Sequence, residues 1–143
     1  PRISVATLPF CLEMKAPLTS TALARGRALK AFYLNQARQA LGEKVAYWSR
    51  RMTLRPRRLS IRGQTTRWGS CSANGEISLN WKLMAAPAEV MDYVVIHELA
   101  HLRHMNHSPA FWQLVAEFDS DYRTHKQWLR QFESEIRMEW LSI

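Results

Sequence analysis

Cysteine is scarce in this 143-residue chain: only Cys11 and Cys71 occur, far apart and in no paired spacing. That excludes a disulfide framework and a Cys-based zinc finger. Acidic residues are also few, 12 Asp and Glu against 20 Lys and Arg, leaving a formal charge of +8. Such an excess favours acidic or nucleic-acid partners through long-range attraction, without specifying any chemistry. No apolar run approaches the roughly 20 residues of a membrane span; the longest pieces resemble Val94-Val95-Ile96. Internal repeats and low-complexity tracts are missing as well. These absences predict no membrane partner and a reducing, cytoplasmic setting. At 47% hydrophobic residues the chain supplies one core and little more, so a single domain over residues 1–143 is expected. Because the sequence opens at Pro1 and not Met, a longer natural beginning stays open.

Periodicity supplies the elements. Residues 1–18, with Ile3 and Val5 alternating, read as the remnant of an N-terminal sheet region. From Thr19 or Ser20 to about Ser49, apolar residues recur at three- and four-residue spacing, predicting a long amphipathic helix with a break near Gly42. A basic stretch follows, Arg50, Arg51, Arg55, Arg57 and Arg58, interrupted by Pro56. Leu59 to Arg62 alternates as a strand, Gly63-Gln64 reads as a turn and Thr65 to Ser70 as a second strand. Asn74-Gly75 is a strong hairpin signal leading into a third strand, Glu76 to Trp81. An antiparallel meander is the expected arrangement. If the third strand forms the sheet edge, an extended peptide can pair with it; a core strand fits the pattern equally well. Pro87 starts a helix running to about His104, Ser108-Pro109 starts another, and a last helix spans about Tyr122 to Trp140. The class is α+β: a small antiparallel or mixed sheet against a long N-terminal helix, a central helix and C-terminal helices.

The central helix carries His97-Glu98-Leu99-Ala100-His101. Histidines one turn apart project to the same side, so two imidazoles can bind one metal without backbone strain. Glu98, about 100° round the helix, can act as general base without ligating the ion. Catalytic zinc takes three protein ligands. His107 offers the third through one local turn, in the spacing of the metzincin signature, although His104 stands where that signature has glycine. Acids on the following helix compete for the role, Glu117 first, then Asp119 and Asp121. The expected reaction is peptide-bond hydrolysis by a Zn2+-activated water. His104, Tyr122 and His125 are candidates for steadying the developing oxyanion, none favoured by spacing. Cys71 reads as a small packed residue more than a zinc-capping thiolate, and Trp68 and Trp81 as core residues more than groove lining.

The runs Thr66-Arg67-Trp68-Gly69-Ser70-Cys71, Ser78-Leu79-Asn80-Trp81, Asp92 through His104, and Asn106-His107-Ser108-Pro109-Ala110-Phe111-Trp112 resemble the YgjP-like metallopeptidase domain. This is a bacterial family of minimal zincins related in motif to the SprT and WLM groups. The likeness covers roughly residues 30–132. It implies a zincin-like α+β fold with zinc on His97, His101 and His107 and Glu98 as base, together with further strands ahead of the long helix, for which residues 1–18 are short. The family leaves the natural substrate undefined, beyond a protein or peptide. Two other readings stand beside the peptidase. One is a nucleic-acid-associated protein using the Arg50–Arg67 tract, including Arg62, the SprT-like relatives being tied to DNA-bound protein substrates. The other is a zinc-binding protein without turnover.

Overall fold

The computed structural model describes residues 20–63 and 67–141. The expected N-terminal sheet remnant therefore lies outside the described residues, as do Gln64 and the start of the second expected strand. Helix α1 spans Ser20–Met52. It runs through Gly42 without the expected break. A glycine in a helix interior costs about 1 kcal/mol relative to alanine, and burial of Ala37, Leu41, Val45 and Met52 on the core side outweighs that cost. Thr53, with φ 56°, then turns the chain out of the helix.

Three short strands follow, β1 (Arg58–Arg62), β2 (Gly69–Cys71) and β3 (Glu76–Asn80). β2 and β3 form the antiparallel hairpin that Asn74-Gly75 signals, with Gly75 at φ 84° supplying the left-handed residue of the turn. β1, however, pairs with β3 in parallel, and the strand order is β1-β3-β2. The sheet is mixed, and the expectation of an antiparallel meander is corrected. β2 therefore lies on the far side of β3 from β1. It is held there by Asn80, whose backbone N–H donates to Trp68 O (2.9 Å) and whose Nδ2 donates to Arg67 O (2.9 Å). Buried Ile77, Leu79 and Asn80 make β3 the central strand. Paired on both sides, it cannot accept a peptide; among the described residues β1 and β2 are the edge strands.

A 3-10 turn, Trp81–Ala85, leads to α2 (Ala88–Ala100), followed by α3 (Pro109–Phe118) and α4 (Tyr122–Leu141). α2 buries Val90, Met91, Val94, Val95, Ile96 and Leu99 and packs against α1, α3, α4, β2 and β3. Asp92 fixes its register on α1 by accepting from Lys44 Nζ (2.9 Å) and Trp48 Nε1 (3.0 Å). The fold is α+β, with the histidine-bearing helix enclosed by the others. No helix among the described residues is long and apolar enough to cross a membrane.

Candidate metal centre

His97 lies in the last turn of α2 and His101 caps its C-terminal end, where tight turns carry the winding on as far as His104. One turn apart, their rings meet at 5.0 Å between centroids. The chain then bends and returns His107 to them, 5.2 Å from the His97 ring and 4.8 Å from that of His101. No residue of this bend has a positive φ. That is why His104 is tolerated where the related signature has glycine. The three histidines form a group whose potential ligand nitrogens all lie within 4.8 Å of one another, able to hold a metal ion. His97 Nε2 and His107 Nε2 approach to 3.4 Å. Two imidazole nitrogens so close share either a proton or a cation.

The ring orientations are set from behind. His101 Nδ1 lies 3.0 Å from the carbonyl of His104; it must be the donor, leaving Nε2 as a lone pair. His97 Nδ1 is 3.3 Å from the Tyr93 hydroxyl, one turn back on α2. Phe111, fully buried, packs at 4.4 Å on the ring of His101 and 5.0 Å from those of His97 and His107. It reaches this place because Ser108 caps α3, its Oγ accepting from Phe111 N at 3.3 Å, with Pro109 in the first turn. Burial, then the neighbouring His101, His107 and Lys126, push His97 down to about 3, and burial also lowers His101. Both rings are thus neutral, the state in which imidazole ligates metal.

Glu98 is 6% exposed, with its carboxylate against the backbone of β2. A Cβ on Gly69 would stand 3.1 Å from Glu98 Cγ, from Glu98 Oε2 and from the Ser78 carbonyl, so the missing side chain is what admits the carboxylate. Burial pushes Glu98 up to about 8, against a downward pull from Arg67. Glu98 and His97 share a 270 Å³ cleft with Arg67, Trp68, Gly69, Tyr93, Lys126 and Arg130 among its walls. Spacing alone did not point to Tyr93 or Gly69.

The competing ligands stand elsewhere. Glu117 is exposed on α3, and Asp119 Oδ2 is held by His125 Nδ1 at 2.8 Å while its Oδ1 accepts from Asp121 N at 3.1 Å. Of the candidate oxyanion donors, Tyr122 stacks on Trp112 at 5.0 Å and His125 is the partner of Asp119. His104 contributes its carbonyl to His101. Cys71 is outside the histidine group, and burial with the nearby Glu98 pushes its thiol up to about 11, away from a metal-binding thiolate. Trp68 stacks on Phe132 at 6.2 Å on the cleft wall, and Trp81 is buried in the core.

No curated protein matches the chain. A similar solved structure is the metallopeptidase zymogen abylysin of Pyrococcus abyssi, with a TM-score of 0.56 at 22% identity, covering 68% of this chain and 95% of that one. At that identity the likeness speaks for the fold. The family model for the YgjP-like metallopeptidase domain matches residues 4–132, nearly the whole length, and the chain with its three converging histidines belongs to that metallopeptidase family.

Proposed function

We propose that the chain is a zinc peptidase in which His97, His101 and His107 hold the ion and Glu98 is the general base. The observation that carries this reading is the convergence of three imidazoles in one group, with a buried carboxylate and one of those imidazoles opening into the same cleft. Two nitrogens each about 2.0–2.1 Å from a tetrahedral zinc stand about 3.3–3.4 Å apart. The 3.4 Å between His97 Nε2 and His107 Nε2 fits that edge without rearrangement. An all-nitrogen set of ligands suits zinc over magnesium or calcium, which take oxygen ligands.

Zinc in this place supplies Lewis acidity, bringing a water into the neutral range of pKa and polarising the scissile carbonyl. The protein does the rest. Glu98 takes the proton of the attacking water on a carboxylate oxygen and returns it to the leaving amide nitrogen. Its place against Gly69 leaves the carboxylate little freedom to swing. Substrate in extended form is positioned by the free edge of β2, whose backbone groups can add another strand without reading sequence. Protein segments that are unfolded or extended are therefore the substrate class.

Glu98→Gln separates base from ligand. The variant should retain the zinc content of the wild type, measured by elemental analysis, while peptide hydrolysis falls about 10²–10⁴-fold. Unchanged turnover would remove Glu98 from the mechanism. Wild-type protein that binds zinc but cleaves no unfolded protein would favour the zinc-binding role without turnover.

A second reading concerns the basic tract. Arg50, Arg51, Arg55, Arg57, Arg58, Arg62 and Arg67 are all exposed and form no ion pair among the described residues. That leaves their charge available to phosphates, and the two activities are compatible.

A further inference from the structure

The cleft beside Glu98 is walled by cations on both sides. Arg67 stands on the segment entering β2, and Lys126 and Arg130 stand one turn apart on α4. All three are exposed, and none is ion-paired among the described residues. Lys126 is also held in place: its ammonium sits 4.5 Å over the ring of Trp112, which in turn stacks on His107 at 5.7 Å. Each cation is near enough for its charge to act on a site residue, Lys126 on His97, Arg67 on Glu98 and Arg130 on Tyr93. The carboxylates lining the same cleft are Glu98, turned onto Gly69, and Glu133, which already has a partner.

Like charges lining one cleft repel, and an anion entering between them relieves that repulsion while gaining charge-assisted hydrogen bonds. A guanidinium on one wall and an ammonium and guanidinium on the other match a carboxylate approached from two sides. Resting on the peptidase reading above, we propose that this cleft selects substrates with a carboxylate beside the scissile bond, from an acidic side chain or from the C-terminus of the peptide. Arg67, Lys126 and Arg130 are the specificity-determining residues.

The test uses the full chain loaded with zinc and a peptide bracketing a bond mapped in a digest of unfolded protein. Matched peptides carry Glu, Ala or Lys next to that bond, each with a free or an amidated C-terminus. The expected order in kcat/KM is Glu over Ala over Lys, with roughly tenfold between Glu and Ala, as befits one charged hydrogen bond. The ratio should shrink as salt is raised. In the Lys126→Glu, Arg130→Glu double variant the Glu-to-Ala ratio should fall to unity or invert; a ratio is insensitive to a general loss of activity. A Glu-over-Ala preference that persists in the amidated peptides assigns the side chain, and a preference for free over amidated peptides that is the same for Glu, Ala and Lys assigns the terminus. Equal rates for all six peptides, or a preference that is unchanged in the double variant, overturn the proposal. Binding of the same peptides to Glu98→Gln protein, followed by fluorescence anisotropy, separates the two levels. Selective binding with no turnover by the wild type keeps the carboxylate site and removes the peptidase reading, whereas turnover without selectivity does the reverse. Neither turnover nor selectivity removes both.

Discussion

A ligand histidine is only as well placed as the group behind it. His97 offers Nε2 to the cluster only while the proton sits on Nδ1, and the Tyr93 oxygen 3.3 Å away is the acceptor that holds it there. Tyr93 is 4% exposed, so no water can substitute freely. Tyr93→Phe should therefore lower zinc affinity about 10–100-fold while leaving far-UV circular dichroism unchanged, as read by competition with a chromophoric chelator. An affinity equal to that of the wild type would mean that packing alone orients the ring. The shared face of His97 and His101, with Glu98 beside it, was legible in the sequence because helical geometry converts spacing into direction, whereas His107, past the helix end, stood there in competition with Glu117, Asp119 and Asp121. Tyr93 was not legible as part of the site: an aromatic four residues before a histidine, within an apolar stripe, looks the same whether it packs or positions. Gly69 was hidden for a related reason, since its role is the space it leaves for a carboxylate from a distant element.

Among the elements, α3 links stability most directly to the site. Its Ser108 cap and Pro109 start bring Phe111 under all three histidine rings. Phe111→Ala opens a cavity at a fully buried position and should cost about 3–5 kcal/mol in denaturant unfolding. It should also weaken zinc binding, because the floor shared by the three rings is gone. Val115→Ala, equally buried one turn further along the same helix, serves as the control. Its loss of stability should leave zinc affinity near that of the wild type. If both variants lose zinc alike, general loosening of α3 explains the effect and the ring contacts do not. The Ser108 cap of α3 and the Asn74-Gly75 hairpin were legible because each is decided within a few residues. The parallel pairing of β1 with β3 was not, because it is decided by which strand the core buries on both sides. The continuity of α1 through Gly42 likewise depends on contacts with α2 that no local pattern displays.

At the scale of the whole molecule, the excess of positive charge was legible from composition, but its distribution was not. Two groups of cations stand apart in the structure. Arg67, Lys126 and Arg130 line the cleft. Arg50, Arg51, Arg55, Arg57, Arg58 and Arg62 lie at the end of α1, along β1 and in the loop between them, away from the walls of that cleft. Arg51 is partly committed, since its guanidinium lies 5.3 Å over Tyr47 and 5.9 Å over Trp48. Arg55, Arg57 and Arg58 have no such contact and are the freest to meet phosphates. Binding of duplex DNA through them should be independent of sequence and strongly weakened by salt, because each neutralised phosphate releases about 0.9 of a counterion. Replacing the three by Ala should lower affinity and flatten the slope of log K against log salt by about 3, read by anisotropy over a salt series. Peptide turnover in the absence of DNA should be unaffected, since none of the three borders the cleft. A slope that does not change on substitution would assign any DNA binding to other cations and leave this tract as a solvated surface.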